Sequence, residues 1–111
     1  MTLRKPTNTE LALIGYLVDI AALENLSAEW RNTLLVSPMD DGGMGSLLLF
    51  PNEYTTDGRR FGKCVSEYLF RDADEIDVLA SLNLDREDQL FELDMWKVDF
   101  NPLICWPEVY P

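Results

Sequence analysis

From Ile76 to Leu84 every second residue is apolar: Ile76, Val78, Ala80, Leu82 and Leu84 alternate with Asp77, Leu79, Ser81, Asn83 and Asp85. Side chains of a strand point to its two faces in turn, so this period demands a strand with one buried face. A turn at Asp85-Arg86-Glu87-Asp88 follows, and then Phe91, Leu93 and Met95 alternate with Leu90, Glu92, Asp94 and Trp96. Acid collects on the second parity of both runs. Between Asp72 and Asp99 ten carboxylates meet only Arg86 and Lys97, which leaves −8 of the chain's net −11. An antiparallel pair with a wet acidic face satisfies both the alternation and the charge.

Upstream, Thr7-Asn8-Thr9-Glu10 fits a capping box, with the Thr7 hydroxyl meeting the third helical amide and Glu10 reaching back. A helix starts there. Its apolar stripe from Leu11 to Leu23 is broken by one charge, Asp19, and is wide enough to predict cover on two sides, with an end at Asn25-Leu26-Ser27. Ser27-Ala28-Glu29-Trp30 then begins a short helical turn that drops Trp30 onto the core. Residues 33–37 and 46–50 are short apolar runs joined by Met39-Asp40-Asp41-Gly42-Gly43-Met44-Gly45, and they are expected to pair antiparallel through that glycine-rich turn. Residues 51–60 lack periodicity and form the longest loop, where mobility is expected; residues 64–71 have strand composition with blurred alternation.

The spacing between these strands leaves no room for crossover helices. The chain is therefore expected to form one α+β domain over residues 1–111, an N-terminal helix packed on an antiparallel sheet of about five strands arranged as a meander. Pro102, Pro107 and Pro111 bar the tail from a central strand, so it runs as an extended cover anchored by Leu103, Ile104 and Trp106. A hydrophobic content of 47% excludes a disordered acidic tail. The start, Met1-Thr2-Leu3-Arg4-Lys5, leads into a proline and not an apolar signal core, so a cytoplasmic chain is expected, with Cys64 and Cys105 as reduced, partly buried thiols.

Histidine is absent, which removes Ser-His-Asp and Cys-His nucleophile systems and makes a zinc centre a poor fit for two cysteines. Asp72, Asp74, Glu75 and Asp77 imitate the opening of a calcium loop but lack its turn glycine and twelfth-position glutamate, so a solvated hairpin turn is expected. Gly42-Gly43-x-Gly45 has neither the lysine nor the hydroxyl of a phosphate loop. Arg59, Arg60 and Lys63, beside Phe61, are too few to hold nucleic acid and are expected to pair with the acidic strands or lie in a mobile loop. The aromatics around Trp96 and Trp106 either close the core or anchor a partner. No cofactor or metal motif is present.

The run Leu90-Phe91-Glu92-Leu93-Asp94-Met95-Trp96-Lys97-Val98-Asp99-Phe100-Asn101-Pro102-Leu103, preceded by Asp72-x-Asp74 and Leu82-Asn83-Leu84-Asp85, resembles the C-terminal signature of small bacterial proteins grouped as a domain of unknown function. Met39 to Ser46 fits the same resemblance, which carries no activity with it. In size and composition the chain is also similar to bacterial toxin-immunity proteins. The leading expectation is a non-catalytic binding domain, of immunity or inhibitor type, that engages a basic protein partner through Asp77, Asp85, Glu92, Asp94 and Trp96, with no nucleic-acid or membrane partner. The alternative is a small-ligand or enzyme module using carboxylates such as Glu92 and Asp94, with or without a divalent cation.

Overall fold

The computed structural model describes residues 2–24, 26–51 and 58–108; most of the expected 51–60 loop lies outside the described residues. Helix α1 (Asn8–Ala21) opens on the capping box, the Thr7 hydroxyl accepting from the Glu10 amide at 3.2 Å and the Glu10 carboxylate from the Thr7 amide at 2.9 Å. The same carboxylate holds the Arg4 guanidinium at 2.7 and 2.9 Å. Burial works against ionisation of Glu10, but Arg4 and the Thr7 amide outweigh it and hold its pKa below the usual glutamate value. Arg4 also exchanges backbone hydrogen bonds with Val36, so the N-terminal arm ties the helix start to the sheet edge.

A helix of this length is marginal alone, and its stability comes from Leu13, Ile14, Leu17 and Val18, each contributing about 1.5–3 kcal/mol on burial. The helix stops earlier than its apolar stripe, at Ala22, whose left-handed backbone turns the chain away. The sheet lies under one face and a second flank is overlaid by Arg31, packed against Gly15 where a Cβ would sit 2.7 Å from its guanidinium, while Ala12 and Ile20 are exposed. Arg31 belongs to the single turn α2 (Trp30–Thr33), which does deliver Trp30 to the core.

Five antiparallel strands follow: β1 (Leu35–Pro38), β2 (Leu47–Phe50), β3 (Phe61–Arg71), β4 (Asp77–Asp85) and β5 (Leu90–Lys97). Their order is β1-β2-β5-β4-β3. The meander is the last three strands, and the β1–β2 hairpin attaches to its far side through β2 and β5. Helix α1 packs on β3 and β4, the Ser66 hydroxyl donating to the Leu17 carbonyl at 2.7 Å and Tyr16 standing edge-on to Tyr68. The core fills the space between helix and sheet with Val36, Leu47, Leu49, Val78, Ala80, Leu82, Leu84, Leu90, Leu93 and Met95.

The C-terminal tail covers the core beside the helix, as its prolines predict. Leu103 and Trp106 pack against it, whereas Ile104 is 62% exposed and anchors through its backbone instead. The notch that receives the tail is Gly45, where a Cβ would meet both Leu103 and Trp106 at 3.3 Å. No helix among the described residues is long and apolar enough to cross a membrane.

Candidate functional site

Among the described residues, helix and tail cover one face of the sheet and no element packs across the other. Directly opposed residues of antiparallel strands share a face. The register therefore places the side chains of the bare face in successive rows across the strands: Arg71 and Asp77; Leu69, Leu79 and Trp96; Glu67, Ser81 and Asp94; Cys64, Asn83, Glu92 and Leu48. Leu69 is 62% exposed and Trp96 46%, and the ring of Phe100, 67% exposed, lies 6.3 Å from that of Trp96. The second row is thus an apolar stripe that runs perpendicular to the strands.

Carboxylates border it on both sides. Asp77 pairs with Arg71 at 3.6 Å, an exposed contact of little energetic weight. On the other side Glu67 accepts from Ser81 at 3.2 Å, Glu92 from Asn83 at 3.1 Å and Asp94 from Ser46 at 3.5 Å. These donors are neutral, and among the described residues none of the three has an ion pair. The bare face is therefore apolar in one row and negative beside it.

Four of the five sequence-predicted site residues, Asp77, Glu92, Asp94 and Trp96, come together here. Asp85 does not. It is 3% exposed: one carboxylate oxygen accepts from the Glu87 and Gln89 amides of the turn, and the other takes Arg59 Nε at 3.0 Å. The inward and outward parities of β5 also need correction at its start. Leu84 pairs with Leu90 and Asn83 with Glu92, which leaves Phe91 as a bulge and turns Leu90 into the core.

Arg59 explains why the bulge is tolerated. Pairing of β2 with β5 ends at Leu48 and Glu92, and beyond it the guanidinium donates to the Leu49 carbonyl at 2.7 Å and to the Leu90 carbonyl. The rings of Phe50 and Phe91 flank it at 5.8 and 5.2 Å. A side chain thus closes a seam that the backbone leaves open, which accords with the expected internal pairing of the basic cluster. Lys63 likewise reaches Asp88 at 3.5 Å.

Asp72 and Asp74 do collect a cation, but it is Lys97. Its ammonium is fully buried and donates to Asp72 at 2.8 Å, Asp74 at 2.7 Å and the Pro102 carbonyl at 3.3 Å. Asp72 is buried as well, so the expected solvated turn is overturned at that residue. Its oxygens further accept the amides of Ala73, Ile104 and Cys105, which fastens the tail to the β3–β4 turn. Burial opposes its charge, but Lys97 and these amides prevail and hold its pKa at about 2. Burial likewise pulls on Lys97, and the two carboxylates still raise its pKa above the ordinary lysine value. Among the described residues no group of three or more acidic or cysteine side chains is arranged to hold a metal ion.

The glycine turn has its own anion. Asp41 accepts the Met44 and Ser46 amides at 3.1 and 2.9 Å, while Gly42, Gly43 and Gly45 all take positive φ. Cys64 and Cys105 are free and both exposed, which corrects the expected partial burial. Desolvation, with Glu67 nearby, raises the Cys64 pKa and keeps it a thiol. Among the described residues one open groove of about 320 Å³ runs along α1, bordered by Leu11, Gly15, Tyr16, Asp19 and Arg31, and another of about 560 Å³ lies at the β1 edge, bordered by Thr2, Ser37, Met39 and Leu48. Neither is lined by Glu92 or Asp94, so those carboxylates do not converge in either cleft.

One helix on one face of a five-stranded antiparallel sheet, with the opposite face left open and acidic, defines a small α+β domain. The chain belongs to the family described as Domain of unknown function (DUF6984), whose family model matches residues 3–107. Neither a search of curated proteins nor a search of solved structures returned a match.

Proposed function

We propose that the protein is a non-catalytic binding domain whose bare sheet face docks a basic protein. The observation that carries this reading is the stripe Leu69, Leu79, Trp96 and Phe100 beside Glu67, Asp94 and Glu92, which have no ion pairs among the described residues. Exposed aromatic and aliphatic side chains beside charges are the usual form of an interface centre with a polar rim. Net charge of −11 favours fast encounter with a cationic surface. In its concrete form the domain is an immunity or inhibitor protein that occludes a basic partner; acid excess and size support that version.

The test is partner capture followed by association kinetics, using the wild-type chain and a Glu92→Gln/Asp94→Asn variant at low and high salt. The double substitution is expected to slow association severalfold and to flatten its salt dependence, because complementary charge acts chiefly on encounter rate. A partner whose binding ignored both the substitutions and ionic strength would overturn the acidic-face reading.

A further inference from the structure

Given the docking face above, on which this inference rests, we propose that the partner element it receives is an amphipathic α-helix laid across the strands. The helix sets its apolar stripe on Leu69, Leu79, Trp96 and Phe100 and its basic flank over Glu67, Asp94 and Glu92.

Spacing selects the helix. Neighbouring strands stand about 4.8 Å apart, so Leu69, Leu79 and Trp96 span about 10 Å in two steps, with the Phe100 ring 6.3 Å from that of Trp96. Apolar positions i, i+4 and i+7 of an α-helix cover about 10.5 Å along its axis. A strand showing three side chains on one side needs about 13 Å and drifts out of step with the row. Helix-on-sheet layering already covers the opposite face, where α1 packs on β3 and β4.

Charge fixes which flank of that helix is basic. The stripe has the Arg71–Asp77 pair on one side and, on the other, three carboxylates without ion pairs among the described residues, so the cations belong over the Glu67, Asp94 and Glu92 side. A second copy of this chain would set the same carboxylates against one another, which is repulsive. Strand addition at the free edge of β3 meets irregular pairing between Phe61 and Lys63 and again between Cys64 and Ser66.

Two synthetic peptides of identical leucine and lysine composition distinguish these modes, one patterned with a period of 3.6 and one with a period of 2, each titrated into the isotope-labelled full chain and followed by NMR. The helical pattern is expected to bind saturably, with shifts centred on Leu69, Leu79, Trp96 and Phe100. Trp96→Ser and, independently, Phe100→Ser should each weaken it at least tenfold; both sites are exposed, so folding is checked in the same spectra. Equal binding of the strand-patterned peptide on this face overturns the helix inference and leaves the docking face standing. Shifts centred away from the face overturn both, and failure of the helical peptide to saturate at millimolar concentration overturns the inference.

Discussion

The ammonium of Lys97 has no exposed surface and two carboxylates within 2.8 Å, so it is held by charge that its own chain supplies. Lys97→Met would leave Asp72 buried without its cation; removing one partner of a buried pair is among the most damaging single changes, and a fall in Tm of roughly 10 °C or more is expected by thermal melting. The pH response follows from the direction of the shifts. Asp72 is ionised more readily folded than unfolded, so its contribution is complete above the ordinary aspartate pKa and is lost as pH falls through about 2. Lys97 binds its proton more tightly when folded, so its share is complete below the ordinary lysine pKa and is lost as pH rises from there through the higher folded value. Acid titration of the Asp72 carboxyl by NMR checks the first, and a midpoint near the free-aspartate value would contradict it. That Asp72 and Asp74 hold a cation was not legible in the sequence, whose local pattern pointed to a solvated turn, because Lys97 lies 25 residues from Asp72 and reaches it only through the fold.

The tail and the β2–β5 seam are the elements whose fit depends on single side chains. Gly45 and Gly42 both have positive φ, which penalises any alanine, but only at Gly45 would a Cβ press on Leu103 and Trp106. Gly45→Ala is therefore expected to cost more stability than Gly42→Ala and to increase the solvent exposure of Trp106, read by fluorescence quenching. Equal losses would show that the tail does not seat in the notch. Arg59→Gln is expected to speed amide exchange at the β2–β5 seam, since the guanidinium bridges two carbonyls there that no strand partner reaches. Strand β4 was legible from its alternation up to Leu84, and the Asp41 glycine turn from its composition. The start of β5 was not: a bulge at Phe91 depends on the partner strand and on Arg59, neither of which appears in the local period. The same register shift removed Leu90 from the acidic parity, while the turn amides and Arg59 drew Asp85 inward.

The whole molecule is a sheet with two unlike faces, one sealed by α1 and the tail and one carrying the stripe and its carboxylates. Neutralising Glu92 and Asp94 removes like charges from adjacent rows, and Gln at 92 keeps the acceptor for Asn83, so stability should stay within about 0.5 kcal/mol of wild type or rise slightly in urea melts. A larger loss would mean that these carboxylates hold the fold and are not free for a partner. The position of Ser81, between Glu67 and Asp94 in the row beside the apolar stripe, makes the docking face directly testable. A photo-crosslinking residue in place of Ser81 should join the chain to a basic protein in cells of its source, and the same residue in place of Ala12, on the exposed flank of α1, should not. Crosslinking from Ala12 with none from Ser81 would contradict the account and move the interface to the helix side.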